Sequence, residues 1–144
     1  MRFEDIETKV IETLQTELPY LKTVGTYAGE LRDELKSLAV SFPAAYVVYR
    51  GSVFGHVDGE NEEETVEFTV LAAAKNLKGG ESLRKSAYGI YLMIDDILLA
   101  LANKTFGLNI ERVRPLRVSL VYISESAAVY GIDFQTRFDE TYGD

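Results

Sequence analysis

The chain has no cysteine and only one histidine, and its apolar stretches are short, so several classes of protein are excluded at once. Without cysteine there can be neither disulfides nor thiolate chemistry. His56 has no cysteine or second histidine with which to form a zinc site, and no Gly-x-Ser-x-Gly motif supplies a nucleophile. Apolar runs such as Ile97–Ala102 fall far short of the roughly 18 residues that a membrane span needs. We therefore expect a protein that is not an enzyme, holds no cofactor or metal and does not enter a membrane.

The net charge of −8 narrows the choice of partners and of compartment. Such an acidic chain is poorly suited to non-specific binding of nucleic-acid phosphates. The opening residues Met1–Asp5 are too acidic and carry too little apolar sequence for a signal peptide, so we expect a cytoplasmic protein. At 144 residues, the chain is expected to fold as one domain over residues 1–144.

Apolar periodicity predicts two long helices and four main strands. One helix is expected from Phe3 to Leu18, where Pro19 ends it, and a second from Ser82 to Asn103 after the Gly79-Gly80 turn. A short helix is expected over residues 31–38. A short edge strand at Val24–Tyr27 precedes four longer strands, which are Ala44–Arg50, Thr65–Lys75, Val113–Ile123 and Ala128–Phe138.

These elements predict an α+β fold in which two helices pack on one face of a mixed, mainly antiparallel sheet. Both helices carry an apolar stripe, and Tyr130, Ile132 and Phe134 give the last strand one apolar face. The second helix is also apolar on its opposite side, at Leu92 and Leu99, so a second cover is expected there. That cover is either the N-terminal helix or a neighbouring subunit.

The segment Ser52–Glu64 is predicted to be the one long loop of the chain. It contains two glycines and the run Glu60–Glu64, in which like charges repel and stay solvated. We expect this acidic loop to be poorly ordered, with a partner-seeking arm as the alternative. Residues 139–144 are expected to be a frayed tail.

Other acidic and glycine-rich sequences do not indicate a binding site. Asp95 and Asp96 are adjacent on a helix and point about 100° apart, so they do not converge on one ion. The acids of residues 58–64 lack the spacing of a calcium loop, and Gly79-Gly80 lacks the lysine and serine of a phosphate loop. The only basic cluster is Arg112, Arg114 and Arg117, of which the first two are expected to share a strand face.

The order of these elements resembles a known family of small tail proteins. The features that carry the resemblance are spread over nearly the whole chain: Phe3–Glu7, Phe42–Tyr49, Val66–Val70, Gly80–Leu98 and Tyr130–Phe134. In pattern and order the chain is similar to the tail completion or tail terminator proteins of contractile-tailed phages related to phage Mu.

The resemblance implies a structural role and a tail-terminator-like fold. Proteins of that kind pack a mixed sheet against two helices and form hexameric rings that cap the tail tube. The implied partners are further copies of the chain, the tail tube protein and the head-tail connector. The implied location is the host bacterial cytoplasm during assembly and then the virion tail. Two alternatives stay open, namely another minor tail or baseplate-proximal protein and a cytoplasmic ligand-binding or regulatory domain.

A ring former needs two different contact surfaces on each subunit, and the strongest charge clusters are the natural candidates. We expect the contact to join an acidic set to a basic set, which are Asp58, Glu60, Glu62, Glu63 and Glu64 on one side and Arg112, Arg114 and Arg117 on the other. The alternative is that both clusters face water.

Overall fold

The computed structural model describes residues 1–29, 31, 40–75, 89–124 and 127–142, which form two helices and five strands. In chain order these are α1 (Phe3–Glu17), β1 (Thr23–Thr26), β2 (Ala44–Asp58), β3 (Asn61–Lys75), α2 (Ile90–Leu101), β4 (Arg114–Ile123) and β5 (Ala127–Thr141). The expected strand-strand-helix-strand-strand order behind an N-terminal helix is therefore confirmed.

The five strands form one mixed sheet in the order β1-β2-β3-β5-β4. The short strand β1 runs parallel to β2 and pairs only with residues 44–47, while every other pair is antiparallel. The predicted α+β class, with a mixed and mainly antiparallel sheet, is confirmed. The edge position predicted for the short strand near Val24 is also confirmed.

Helix α1 forms because apolar residues recur on one side of it and acids favour its N-terminus. Ile6, Val10 and Leu14 are completely buried on the sheet. The backbone N–H of Arg2 donates to the Asp5 carboxylate at 3.0 Å, which satisfies one donor at the helix start. Pro19 cannot continue the helix, which ends at Glu17.

The main core lies between the two helices and one face of the sheet. Ile90, Met93, Ile97 and Leu101 of α2 are fully buried against β3 and β5. Phe68 and Phe134 stack across these strands with ring centroids 5.4 Å apart. The predicted packing of both helices on one sheet face is confirmed for the described part of the second helix; its expected beginning, residues 82–88, lies outside the described residues.

The described residues cover the opposite face of the sheet at one end only. There a second apolar cluster forms, comprising Leu31, Phe42, Ala44, Tyr46, Ala73, Ala127 and Val129. The helix expected over residues 31–38 lies outside the described residues, apart from Leu31.

The expectation of a long acidic loop at Ser52–Glu64 is wrong. Strand β2 continues to Asp58, β3 begins at Asn61, and only Gly59 and Glu60 connect them. Gly59 adopts a φ of +45°, which suits the first central position of a two-residue hairpin turn. The acids do not repel one another as expected because successive strand residues point to opposite faces of the sheet.

The ends of the other elements also differ from expectation. Residues 139–144 were expected to be frayed, but residues 139–141 belong to β5, where Thr141 pairs with Asn61. Residues 143–144 lie outside the described residues. Helix α2 ends at Leu101 rather than Asn103, which has a φ of 65°. Within the part of the chain that is described, no helix is both long and apolar enough to cross a membrane. That residues 1–144 form one domain stays a prediction.

Candidate subunit interface

The end of the β2–β3 hairpin, residues 52–64, carries the acidic set and is here called the distal hairpin. Glu62 and Glu64 lie on the helix-bearing side of the sheet, in step with the buried Val66, while Glu63 lies on the open side. Strand alternation therefore separates neighbouring carboxylates. Each then finds its own partner, which is why a charge-rich sequence forms a regular hairpin.

Glu64 is a structural residue rather than a contact residue. Its side chain is buried, and its two carboxylate oxygens accept hydrogen bonds from the Ser52 hydroxyl at 2.7 Å and the Tyr142 hydroxyl at 3.1 Å. Burial raises the pKa of Tyr142, and the hydrogen bond to Glu64 raises it further. This carboxylate joins β2, β3 and the segment after β5, and so is not available to another subunit.

Three other acids of the set also have partners within the chain. The Glu62 carboxylate lies 3.0 Å from Nδ1 of His56, and the Glu63 carboxylate lies 3.5 Å from Nε of Arg137. The Asn61 amide donates to Asp58 at 2.7 Å. Only Glu60, at the turn, has no side-chain partner among the described residues. The acidic set is thus a partly neutralised surface and not a bare cluster of charge.

The distal hairpin also exposes apolar side chains, which the sequence analysis did not single out. Val53 keeps 73% of its surface exposed, and Phe54 and Val57 are each more than half exposed. Phe54 meets Tyr142 edge to face, with ring centroids 6.2 Å apart. These residues are exposed because β1 pairs only with residues 44–47 and leaves the rest of β2 as a free edge within the described structure.

The opposite edge of the sheet is β4, here called the outer strand. It is apolar on both faces, and Val118, Leu120, Val121 and Ile123 are all about half exposed. Leu120 pairs with Tyr130 of β5, which in turn meets Tyr91 of α2 at a centroid distance of 6.3 Å. An apolar surface therefore runs from the beginning of α2 to the outer edge of the sheet.

The three arginines of the basic set are in different situations. Nε of Arg117 lies 3.4 Å from the Asp133 carboxylate, so this charge is already paired on the open face. Arg112 and Arg114 are exposed, and no ion pair is found for either among the described residues. Arg112 precedes the outer strand, and the buried Val113 separates the two arginines by pairing with the turn at residues 103–104. The free positive charge thus lies at the start of the outer strand.

The open face of the sheet contains a groove of about 420 Å³ between β2 and the outer strand. At its floor the Thr69 hydroxyl donates to Asp133 at 2.5 Å, and Asp133 also faces Arg117. These polar groups satisfy one another instead of pointing at a ligand. The groove therefore gives little support to the alternative of a ligand-binding domain.

Asp96, one of the two adjacent aspartates on α2, has a structural contact. The Tyr20 hydroxyl donates to the Asp96 carboxylate at 2.6 Å, which ties the turn after α1 to α2. Burial raises the pKa of Tyr20 well above its usual value, and the hydrogen bond to Asp96 adds to the effect. Over the described ranges, no three acidic or histidine side chains are grouped so as to hold a metal ion. Gly79-Gly80 lies outside the described residues.

A signal for the exposed apolar edges was present in the sequence. In Val118–Ile123, apolar residues occupy both faces, as Leu120 and Val121 do, whereas a strand with one solvated face alternates. Such a run predicts either a strand buried on both sides or one that is completed by a partner. The sequence alone does not decide between them, because it does not place the strand inside or at the edge of the sheet.

The comparisons with known proteins identify a family. The family model described as Bacteriophage Mu, Gp37 matches residues 3–139, nearly the whole chain. No curated protein sequence matches it.

Proposed function

The chain belongs to the Bacteriophage Mu Gp37 family, and from that premise we propose that it is a structural protein of a phage or prophage tail. In this proposal it is the tail terminator or completion protein. It assembles in the host bacterial cytoplasm, caps the finished tail tube and offers a surface to the head-tail connector. Its partners are further copies of itself, the tube protein and the connector.

The observation that carries the proposal is the family match over residues 3–139, together with the nature of the exposed surface. Both lateral edges of the sheet carry exposed apolar side chains, at Val53 and Phe54 on one side and Leu120 on the other, and α2 carries a further one at Leu99. Exposed apolar side chains on opposite edges are typical of a subunit that is completed by neighbours. A catalytic site, by contrast, needs convergent and unsatisfied polar groups.

A closed ring fits this distribution of surfaces. The distal hairpin and the outer strand are different, so a contact between them is heterologous, and such contacts close into a ring when the rotation allows. The basic set and the acidic set contribute as complementary rims, although Glu64 and Arg117 act within the subunit. Rim charges of this kind mainly set register and association rate.

The proposal is tested by locating the chain in the particle and by removing it. Gold labelling of a tagged chain in purified tails should mark one site, at the head-proximal end of the tube. Lysates of a deletion mutant should contain tails of irregular length, or finished tails that do not join heads, and plasmid-borne wild type should restore normal particles. Labelling at the baseplate end would reassign the chain to a baseplate-proximal role. Normal infectious particles from the deletion mutant would contradict a tail role altogether.

A further inference from the structure

The two lateral edges of the sheet have complementary backbones, charges and side chains. We propose that the outer strand of one copy adds to the free edge of β2 in the next copy, residues 48–58, so that the sheet continues from subunit to subunit. The occupant of each edge is thus a second copy of this chain. The inference specifies the contact within the proposed ring and rests on the proposed function for its place in the tail.

Both edges offer unpaired backbone groups over a useful length. Among the described residues, β1 pairs with β2 at residues 44–47 only, and the outer strand has a strand partner, β5, on its inner side only. Proteins usually protect such edges with short strands, charges or proline. In the outer strand, Pro115 and Arg117 disfavour pairing with another strand at its beginning only, and residues 118–123 carry no charge. An edge of this kind is a template for another strand.

The strand directions of the sheet allow the addition without turning the neighbour over. β2, β3, β5 and β4 are antiparallel in succession, so the outer strand runs antiparallel to β2 of its own subunit. A neighbour that keeps the same orientation therefore offers its β2 antiparallel to the outer strand. This is the relation that a ring of equivalent subunits requires.

The charges select the same direction independently. In an antiparallel pairing, the start of the outer strand, with Arg112 and Arg114, lies beside the neighbour's Asp58 and Glu60 at the hairpin turn. The apolar end of the outer strand lies beside the middle of β2. Because Arg112, Arg114 and Glu60 have no ion pair among the described residues, each is available for this contact. A pairing of two outer strands would leave the acidic turn unused.

Exposed side chains on the two edges also lie on the same face of the sheet, so that they could contact each other. Val121 lies on the open face, where its Cγ2 approaches Gly131, and Val53 lies on the same face opposite Thr65. With Arg114 near the neighbour's hairpin turn, Val121 comes level with Val53 of the neighbour to within a residue or two. Both are more than half exposed in the single subunit and would be covered together in the pair.

Disulfide trapping tests the contact directly, because the natural chain has no cysteine to interfere. The full chain is prepared with Val53→Cys and Val121→Cys together, and also with each change alone. Under mild oxidation at high protein concentration, the double variant should form a ladder of covalent dimers, trimers and larger species. Its yield should exceed that of either single variant by about tenfold. A mixture of the two single variants should form dimers only.

The matched control combines Val53→Cys with Leu99→Cys, which is 76% exposed on α2 and away from both edges. A ladder no stronger than this control would overturn the proposal. Efficient dimerisation of Val121→Cys alone would also overturn it, in favour of two outer strands pairing with each other. Reversal of Arg112 and Arg114 to glutamate should reduce the ladder severalfold, and added salt should reduce it likewise.

The two experiments test the proposed function and this contact separately. The double variant could form a ladder although gold labelling does not place the chain at the head-proximal end of the tube. That result would support the edge pairing and contradict the terminator role. Labelling at the head-proximal end without a ladder would support the role and contradict the edge pairing.

Discussion

Strands β5 and β4 lie side by side and both carry apolar residues on the helix-bearing face of the sheet, yet β5 is an interior strand and β4 is an edge strand. Ile132 and Val118 are direct cross-strand partners, and their exposed fractions are 0% and 43%. β5 is flanked by β3 and β4 and packs against α2, whereas in the described part of the chain β4 has one neighbouring strand and leaves its apolar side chains about half exposed. An apolar pattern therefore specifies a strand. The position of that strand in the sheet decides whether its apolar side chains are buried within the subunit.

The same contrast separates the acids of the distal hairpin. Glu60 and Glu64 belong to one acidic run. Glu64 is buried and accepts two hydrogen bonds, whereas Glu60 is exposed at the turn. In both comparisons, the interior member supports the fold of the single subunit. The exposed member contributes little to that fold.

The largest expected effect comes from truncating one apolar residue in β5 and comparing the result with a truncation in β4. Phe134→Ala should lower the free energy of unfolding by about 3–5 kcal/mol, since it removes a fully buried ring that stacks on Phe68. Leu120→Ala, on the outer strand, should change it by less than about 1 kcal/mol in dilute protein. Urea unfolding followed by circular dichroism measures both. Equal losses would mean that the outer strand is as well packed as β5.

A smaller effect is expected from truncating the two glutamates. Glu64→Ala leaves the hydroxyls of Ser52 and Tyr142 without their acceptor and should cost about 1–3 kcal/mol. Glu60→Ala should stay within about 0.5 kcal/mol, as is usual for an exposed turn residue. The same unfolding assay reports both values. A neutral Glu64→Ala would show that the distal hairpin does not depend on this buried carboxylate.

The smallest effect concerns the hydrogen bond from Tyr20 to Asp96, and it is measured from how stability changes with pH in alkaline solution. The pKa of Tyr20 is raised in the folded protein, so above the unfolded value of about 10 the unfolded chain loses this proton first. The stability from this group is therefore complete below about pH 10 and decreases as the pH rises further. Tyr20→Phe should be less stable at neutral pH but should lose less stability between about pH 9 and 11 than the wild type. Identical slopes for the two proteins would contradict the assignment.

The sequence by itself determined the α+β class, the order of the elements, the two helices on one sheet face and the family resemblance. These depend on the periods of apolar residues and on breakers such as Pro19, which act locally. The absence of cysteine and of catalytic motifs was equally visible from composition.

Only the tertiary structure decided which charges are free and which apolar residues lack a cover. Ser52–Glu64 was predicted to be a loop because like charges stood together in sequence. Strand pairing instead distributes these charges over two faces and gives the buried Glu64 carboxylate two hydrogen-bond partners. Arg117 looked as available as Arg114 until the pairing of β4 with β5 placed it beside Asp133. The physical reason is that cross-strand neighbours are set by register and strand order, and these join residues that are far apart in the sequence.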